Sequence, residues 1–160
     1  MKSNQRNEYL MIYASDLRDK ISNLLKSQSL AVLASQKDDQ SYANLVAFAV
    51  SDNLQMMIFA TSRSTRKFSN IQCNPQVALL VDNRQNNPSD FKDALAVTAI
   101  GKAMVINGSE KDTFSSMYLA KHPHLSDFIS SPNQALIRVN VSKYIVVCNF
   151  QRVLEMDVDE

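Results

Sequence analysis

Seven consecutive residues, Thr61-Ser62-Arg63-Ser64-Thr65-Arg66-Lys67, carry four hydroxyls and three cations. No acidic residue occurs from Asn53 to Val81, so Arg63, Arg66 and Lys67 are the only formal charges in that stretch. The hydroxyls end an apolar run, Leu54 to Thr61, and Phe68 and Ile71 follow at helical spacing until Pro75 stops the pattern. The cations therefore fall where a strand gives way to a short helix. A helix start offers unpaired backbone N–H groups and roughly half a positive charge, which together favour a phosphate dianion. Arg adds a bidentate fork and Lys a point charge. The plainer reading is that Ser64 or Thr65 caps the helix while the cations are solvated. The two readings are compatible, because a cap and a phosphate cradle use the same donors.

The strand from Tyr42 to Val50 is the second candidate. Tyr42, Asn44, Val46, Phe48 and Val50 share one face in an extended chain, and Ala43, Leu45, Ala47 and Ala49 share the other. One face is bulky and the other nearly flat. Small side chains beside exposed amides let a planar ring lie close and hydrogen-bond along its edge. Close packing of a second sheet or a second subunit is the alternative use of such a face.

Other reactive groups point to less. The two histidines stand together as His122-Pro123-His124, which reads as a helix end or surface loop, and no metal site is expected. Cys73 and Cys148 have no close cysteine partner, so both are expected to pack in the interior of a protein from a reducing, cytoplasmic setting. Gly101 and Gly108 are the only glycines, which excludes phosphate loops built on clustered glycines. A formal charge of +1 gives no global attraction for nucleic acid. The stretch Leu10 to Ala14 is too short for a signal-peptide core, and no apolar run reaches the ~20 residues of a membrane helix.

These groups must be positioned by a mainly β scaffold. Leu17, Ile21, Leu24 and Leu25 predict a leading amphipathic helix over Asp16 to Lys26, covering a sheet or barrel end. Strands are expected over Leu30 to Ser35, Tyr42 to Val50, Leu54 to Thr61, Val77 to Asn83 and Ala94 to Ile106, with two long ones in Gln134 to Met156. Gly101 inside its strand suggests a bulge or a close backbone approach. Ser109 to Asp112 opens a helix carrying Phe114, Met117 and Leu119, and one more helical turn covers Leu125 to Ile129. Six or seven antiparallel strands closed into a small Greek-key-like barrel with flanking helices is the economical architecture, in one domain spanning 1–160.

Phe59-Ala60-Thr61, the Arg66-Lys67 pair and Asn74-Pro75-Gln76-Val77 together resemble the signature of the pyridoxamine 5′-phosphate oxidase-like, FMN-binding split β-barrel proteins. The resemblance runs from about Ser29 to Val153. It implies a homodimer with FMN in clefts between subunits and a small-molecule redox substrate. It also implies that Arg66 and Lys67 hold the phosphate beside Thr61 and Ser62, and that Leu45, Val46 and Ala47, with Asn44 adjacent, follow the edge of the ring. Phe150 or Gln151 would reach the partner subunit's flavin.

The departures imply as much. The oxidases carry an Arg where Asn44 or Leu45 stands and a Gln where Ala96 stands, and Gln151 to Glu160 contains neither Trp nor His of their substrate motif. Flavin binding survives these changes, whereas oxidation of pyridoxamine phosphate does not. His122-Pro123 followed by Phe128 also resembles the haem-utilisation branch of the split barrels, whose main haem contacts have no match here. The expectation is an FMN-dependent oxidoreductase with no catalytic side chain singled out, against a flavin or haem carrier or sensor, or a barrel that has lost its cofactor.

Overall fold

The computed structural model describes residues 2–149 and 151–158, with side chains described from Ala14 onward. A helix, α1 (Lys2–Ser27), precedes the hairpin β1 (Leu30–Lys37) and β2 (Gln40–Val50), then β3 (Met56–Ser62), α2 (Arg66–Cys73) and β4 (Gln76–Asp82). A short helix α3 (Asp90–Asp93) leads to β5 (Ala96–Val105). Helices α4 (Lys111–Lys121) and α5 (Ser126–Ser130) then precede β6 (Gln134–Cys148) and β7 (Arg152–Asp157).

All strand pairs are antiparallel, in the order β3-β2-β1-β4-β5-β6-β7, and β3 also pairs with β6. Six strands thus close a barrel, and β7 lies on the outer edge as an extra strand. The return of β4 to the side of β1 is a Greek-key connection. The expected mainly β barrel is what forms.

Alternation fills the barrel. Ala31 and Leu33, Val46 and Phe48, Met57 and Phe59, Leu79 and Val81 all point inward and are buried. Leu17, Ile21, Leu24 and Leu25 of α1 join the same core, as their spacing predicts. Each such side chain is worth about 1.5–3 kcal/mol when fully buried, so packing rather than intrinsic propensity holds this part of α1. The helix itself is longer than the apolar stripe, since it begins at Lys2. A second cluster lies outside the barrel, where Phe114 and Tyr118 of α4 cover Ala49, Ile58 and Leu136.

Gly101 stands at a register shift between β5 and β6. A Cβ there would lie 2.2 Å from the Asn140 carbonyl oxygen, so only glycine fits.

Three expectations need correction. β3 starts at Met56 rather than Leu54, because Leu54 extends the turn with φ of 62° and plugs the core with its side chain. Of the two final strands only β6 is long, with 15 residues against 6 in β7. Cys73 is exposed rather than packed, since α2 turns Asn70 and Ile71 inward; Cys148 is half-buried, and both thiols are free.

Candidate functional site

β2 and β3 pair over only three positions, Phe48↔Phe59, Ala49↔Ile58 and Val50↔Met57. Continued in register, Ala47 would oppose Ala60 and Leu45 would oppose Ser62. Instead the strands part there and a cleft of about 400 Å³ opens between them. One wall is Leu45, Val46 and Ala47 of β2, another is Ala60, Thr61 and Ser62 of β3 with Thr65 and Lys67, and a third is Tyr118, Leu125 and Phe128 from the helices.

The Phe48 N–H reaches Ser29 on the β1 side, and Arg63 N–H reaches Asn133 on the β6 side. Backbone groups alternate along a strand, so the N–H and C=O of Leu45 and Ala47, and those of Ala60 and Ser62, face the split. The barrel thus offers a ligand two strand edges with hydrogen-bonding groups.

The mouth of the cleft is the start of α2. Thr65 is its N-cap, with the Oγ1 accepting from the Phe68 N–H at 3.3 Å. Thr65 also donates to the Ser62 carbonyl at 2.8 Å, and its hydroxyl lies 3.0 Å from that of Thr61. Ser62 and Ser64 hydroxyls are 2.8 Å apart, and Asn133 donates to Ser62 Oγ at 3.0 Å. The capping reading is therefore correct in geometry. It leaves the Arg66 and Lys67 amides, the first two of the helix, without an acceptor among the described residues.

Lys67 lines the cleft. Burial alone lowers its pKa from 10.5, with no carboxylate beside it to offset the loss of water. A partly desolvated cation beside free amides and hydroxyls favours an anion.

Arg66 is not brought to the same place. Its guanidinium stands 5.3 Å from the ring centre of Tyr42, in a separate groove with Lys37 and Ser69. Successive helical residues point about 100° apart, so one helix start cannot direct both cations into one cleft without a side-chain rearrangement. Arg63 likewise lies over Phe68, 5.5 Å from its ring centre.

Of the other sequence candidates, Asn44 turns inward on β2, and neither side-chain amide atom finds a hydrogen-bond partner among the described residues. Gln151 is exposed in the β6–β7 turn, at the opposite end of β6 from the Ser62↔Gln134 pair, and so lies away from its own chain's cleft. Phe150 lies outside the described residues.

The histidines do not form a metal pair. His122 caps the end of α4 and is buried, with Nε2 2.7 Å from the Phe48 carbonyl oxygen. A carbonyl only accepts, so Nε2 carries the proton. Burial lowers the His122 pKa, with the Phe48 carbonyl opposing and Lys121 and His124 adding to the shift. Lys121 donates to the Leu25 carbonyl at 2.8 Å and stands 3.9 Å from the Phe48 ring centre. Together the two residues clasp α4 to the end of α1 and to β2 where the split begins.

Sequence reasoning missed Tyr118, Ala60 and Leu125. Phe114 and Tyr118 form an aromatic pair one helical turn apart, which was the available signal for a second apolar face on α4.

The fold has relatives of known structure. A heme binding protein from Mycobacterium smegmatis superposes with a TM-score of 0.78 at 13% identity, covering 88% of this chain and 57% of that one. This chain therefore spans little more than half of that protein. An FAD-binding protein from Mesorhizobium loti gives 0.63 at 18% identity, covering 78% and 88%. A putative pyridoxamine 5′-phosphate oxidase from Listeria innocua gives 0.64 at 17% identity, covering 86% and 98%. Identities this low speak to fold alone. No curated protein matches the sequence. Residues 17–148 match the family described as pyridoxamine 5′-phosphate oxidase, and with the split barrel and its cleft in place the chain belongs to that family.

Proposed function

We propose that this protein binds FMN in the cleft between β2 and β3, as a homodimer, and uses it in electron transfer to or from a small molecule. The carrying observation is Lys67: a half-buried cation with no carboxylate partner, at a helix start whose first two amides are free. That arrangement suits the phosphate, and the Leu45 and Ala47 backbone edge suits the polar rim of a flavin. Membership of the family and the fold shared with an FAD-binding protein support the same reading. When bound, the flavin supplies the redox chemistry; the chain positions it and sets its electrostatic surroundings.

The dimer is supported by the outer surface. Leu45, Val32 and Leu80 lie side by side in register across β2, β1 and β4, with Leu45 64% and Leu30 53% exposed. An apolar strip of this kind, running into the cleft wall at Leu45, is suited to a second copy that closes the cleft.

Haem carriage is the second reading, favoured by the fold shared with a heme binding protein and by the apolar walls Leu45, Leu125 and Phe128. His122 is a poor axial ligand for it, because its Nε2 is committed to the Phe48 carbonyl. One titration separates the two. Protein mixed with FMN is expected to quench flavin fluorescence saturably with a 1:1 endpoint per chain. No quenching, or a Soret band on haem addition in place of flavin binding, would overturn the flavin reading.

A further inference from the structure

Tyr118 is 1% exposed, yet its hydroxyl makes no hydrogen bond to the described residues, although the ring lines the cleft. The contrast with Tyr144 is direct: that residue is equally buried, and its hydroxyl donates to the Leu54 carbonyl at 2.8 Å. The Tyr118 hydroxyl is not sealed in the interior: it opens onto the cleft, where a ligand can take the hydrogen bond that the described residues leave unused. Burial pushes the Tyr118 pKa up to about 12, so the group is a neutral donor at any physiological pH and does not act as a base.

Its position along the cleft is informative. Tyr118 belongs to the cluster that packs Ala47 and Ala60, the residues at the throat where the strands part. Thr65 and Lys67 lie at the opposite, α2 end. A ligand whose phosphate rests on Lys67 thus places its other end beside Tyr118. Resting on the flavin reading above, we infer that Tyr118 donates a hydrogen bond to a ring carbonyl or ring nitrogen of the bound flavin. It is a ligand-binding residue that fixes the ring at the throat. His122, with its ring centre 5.1 Å from that of Tyr118, sits behind it and braces the same helix against Phe48.

The test compares wild-type protein with Tyr118→Phe, which removes one oxygen and keeps the packing. Three quantities are read: FMN affinity, the absorption band of the bound flavin, and the melting temperature without ligand. Expected are an FMN affinity about tenfold weaker, a displaced flavin band at saturation, and an unchanged melting temperature, because the free protein loses no hydrogen bond. Lumiflavin, a flavin ring without the phosphate chain, should show the same ratio between the two proteins. Equal FMN affinity and identical bands would overturn the inference. So would a lowered melting temperature without a band displacement, which marks a structural role. A tenfold loss with FMN but none with lumiflavin would put the contact on the chain and overturn the ring assignment. Failure of wild-type protein to bind FMN at all would remove the flavin reading itself, an outcome distinct from the others.

Discussion

Phe48 and Phe59 face each other in the last paired position between β2 and β3, and beyond them the two strands separate. Both side chains are fully buried. The barrel is therefore closed by core packing up to this pair, while one residue further along the backbone edges are released to a cleft. His122 holds the Phe48 carbonyl from the other side, so the point of separation is fixed by packing and by a hydrogen bond.

The two neighbouring cations should differ in effect. Arg66→Ala removes a guanidinium parked on Tyr42, an exposed contact of about 0.5–1 kcal/mol, and should change FMN affinity by less than about threefold. Fluorescence titration of the variant checks this. A loss as large as that from removing Lys67 would mean that Arg66 leaves Tyr42 for the phosphate.

The clasp at the end of α4 predicts a pH dependence of stability. Burial lowers Lys121 from 10.5 to about 8. Between these values the unfolded chain keeps a proton that the folded chain has released, so unfolding takes up protons and stability rises with pH. The penalty is complete below about 8 and vanishes towards 10.5. Tyr118 and Tyr144, both raised by burial from 10.0, oppose this once the unfolded phenols ionise, so the clean window ends near 10. Urea midpoints measured across that window should climb in wild-type protein and climb less in Lys121→Met; Lys67, also lowered by burial, leaves a remainder. Identical slopes would show that the ammonium stays hydrated. His122 acts with the same sign at lower pH: its depressed pKa costs stability as pH falls below 6.5.

Gly101→Ala tests the register of the sheet. The new Cβ would collide with backbone at Asn140, which cannot yield as a flexible side chain would. Destabilisation of about 3 kcal/mol or failure to fold is expected, against a few tenths at an unconstrained glycine. Chemical denaturation decides; a neutral substitution would mean that β5 and β6 are not this close.

Leu45→Lys probes the proposed dimer interface and the cleft together, because Leu45 is exposed on the outer strip and also lines the cleft. Placing a charge there should yield a monomer by sedimentation and weaken FMN binding, with far-ultraviolet dichroism unchanged. A wild-type protein that sediments as a monomer would contradict the dimer directly.

Much of this was legible in the chain because period two and local breaks carry it. The alternation from Tyr42 to Val50 gives the flat outer face, Gly101 marks the bulge, and the run from Thr61 to Lys67 marks the strand-to-helix corner. What depended on three-dimensional docking was not legible. Helical phase at the start of α2 decides that Lys67 enters the cleft and Arg66 does not, and one residue of rotation would reverse them. Tyr118 arrives at the throat from a helix more than fifty residues beyond Thr61, brought there by the packing of α4 over Ala49 and Ile58. Leu54 reads as strand by composition but is spent on a left-handed turn that seats its side chain in the core.

The most direct measurement is a four-way comparison of FMN and riboflavin, which differ only in the phosphate, against wild-type protein and Lys67→Ala. Wild-type protein should prefer FMN by about 1.5–3 kcal/mol, the worth of a charge-assisted contact, and the variant should lose most of that preference while binding riboflavin as before. Equal affinity of the wild-type protein for the two flavins, or a preference that persists without Lys67, would contradict the placement of the phosphate at the start of α2.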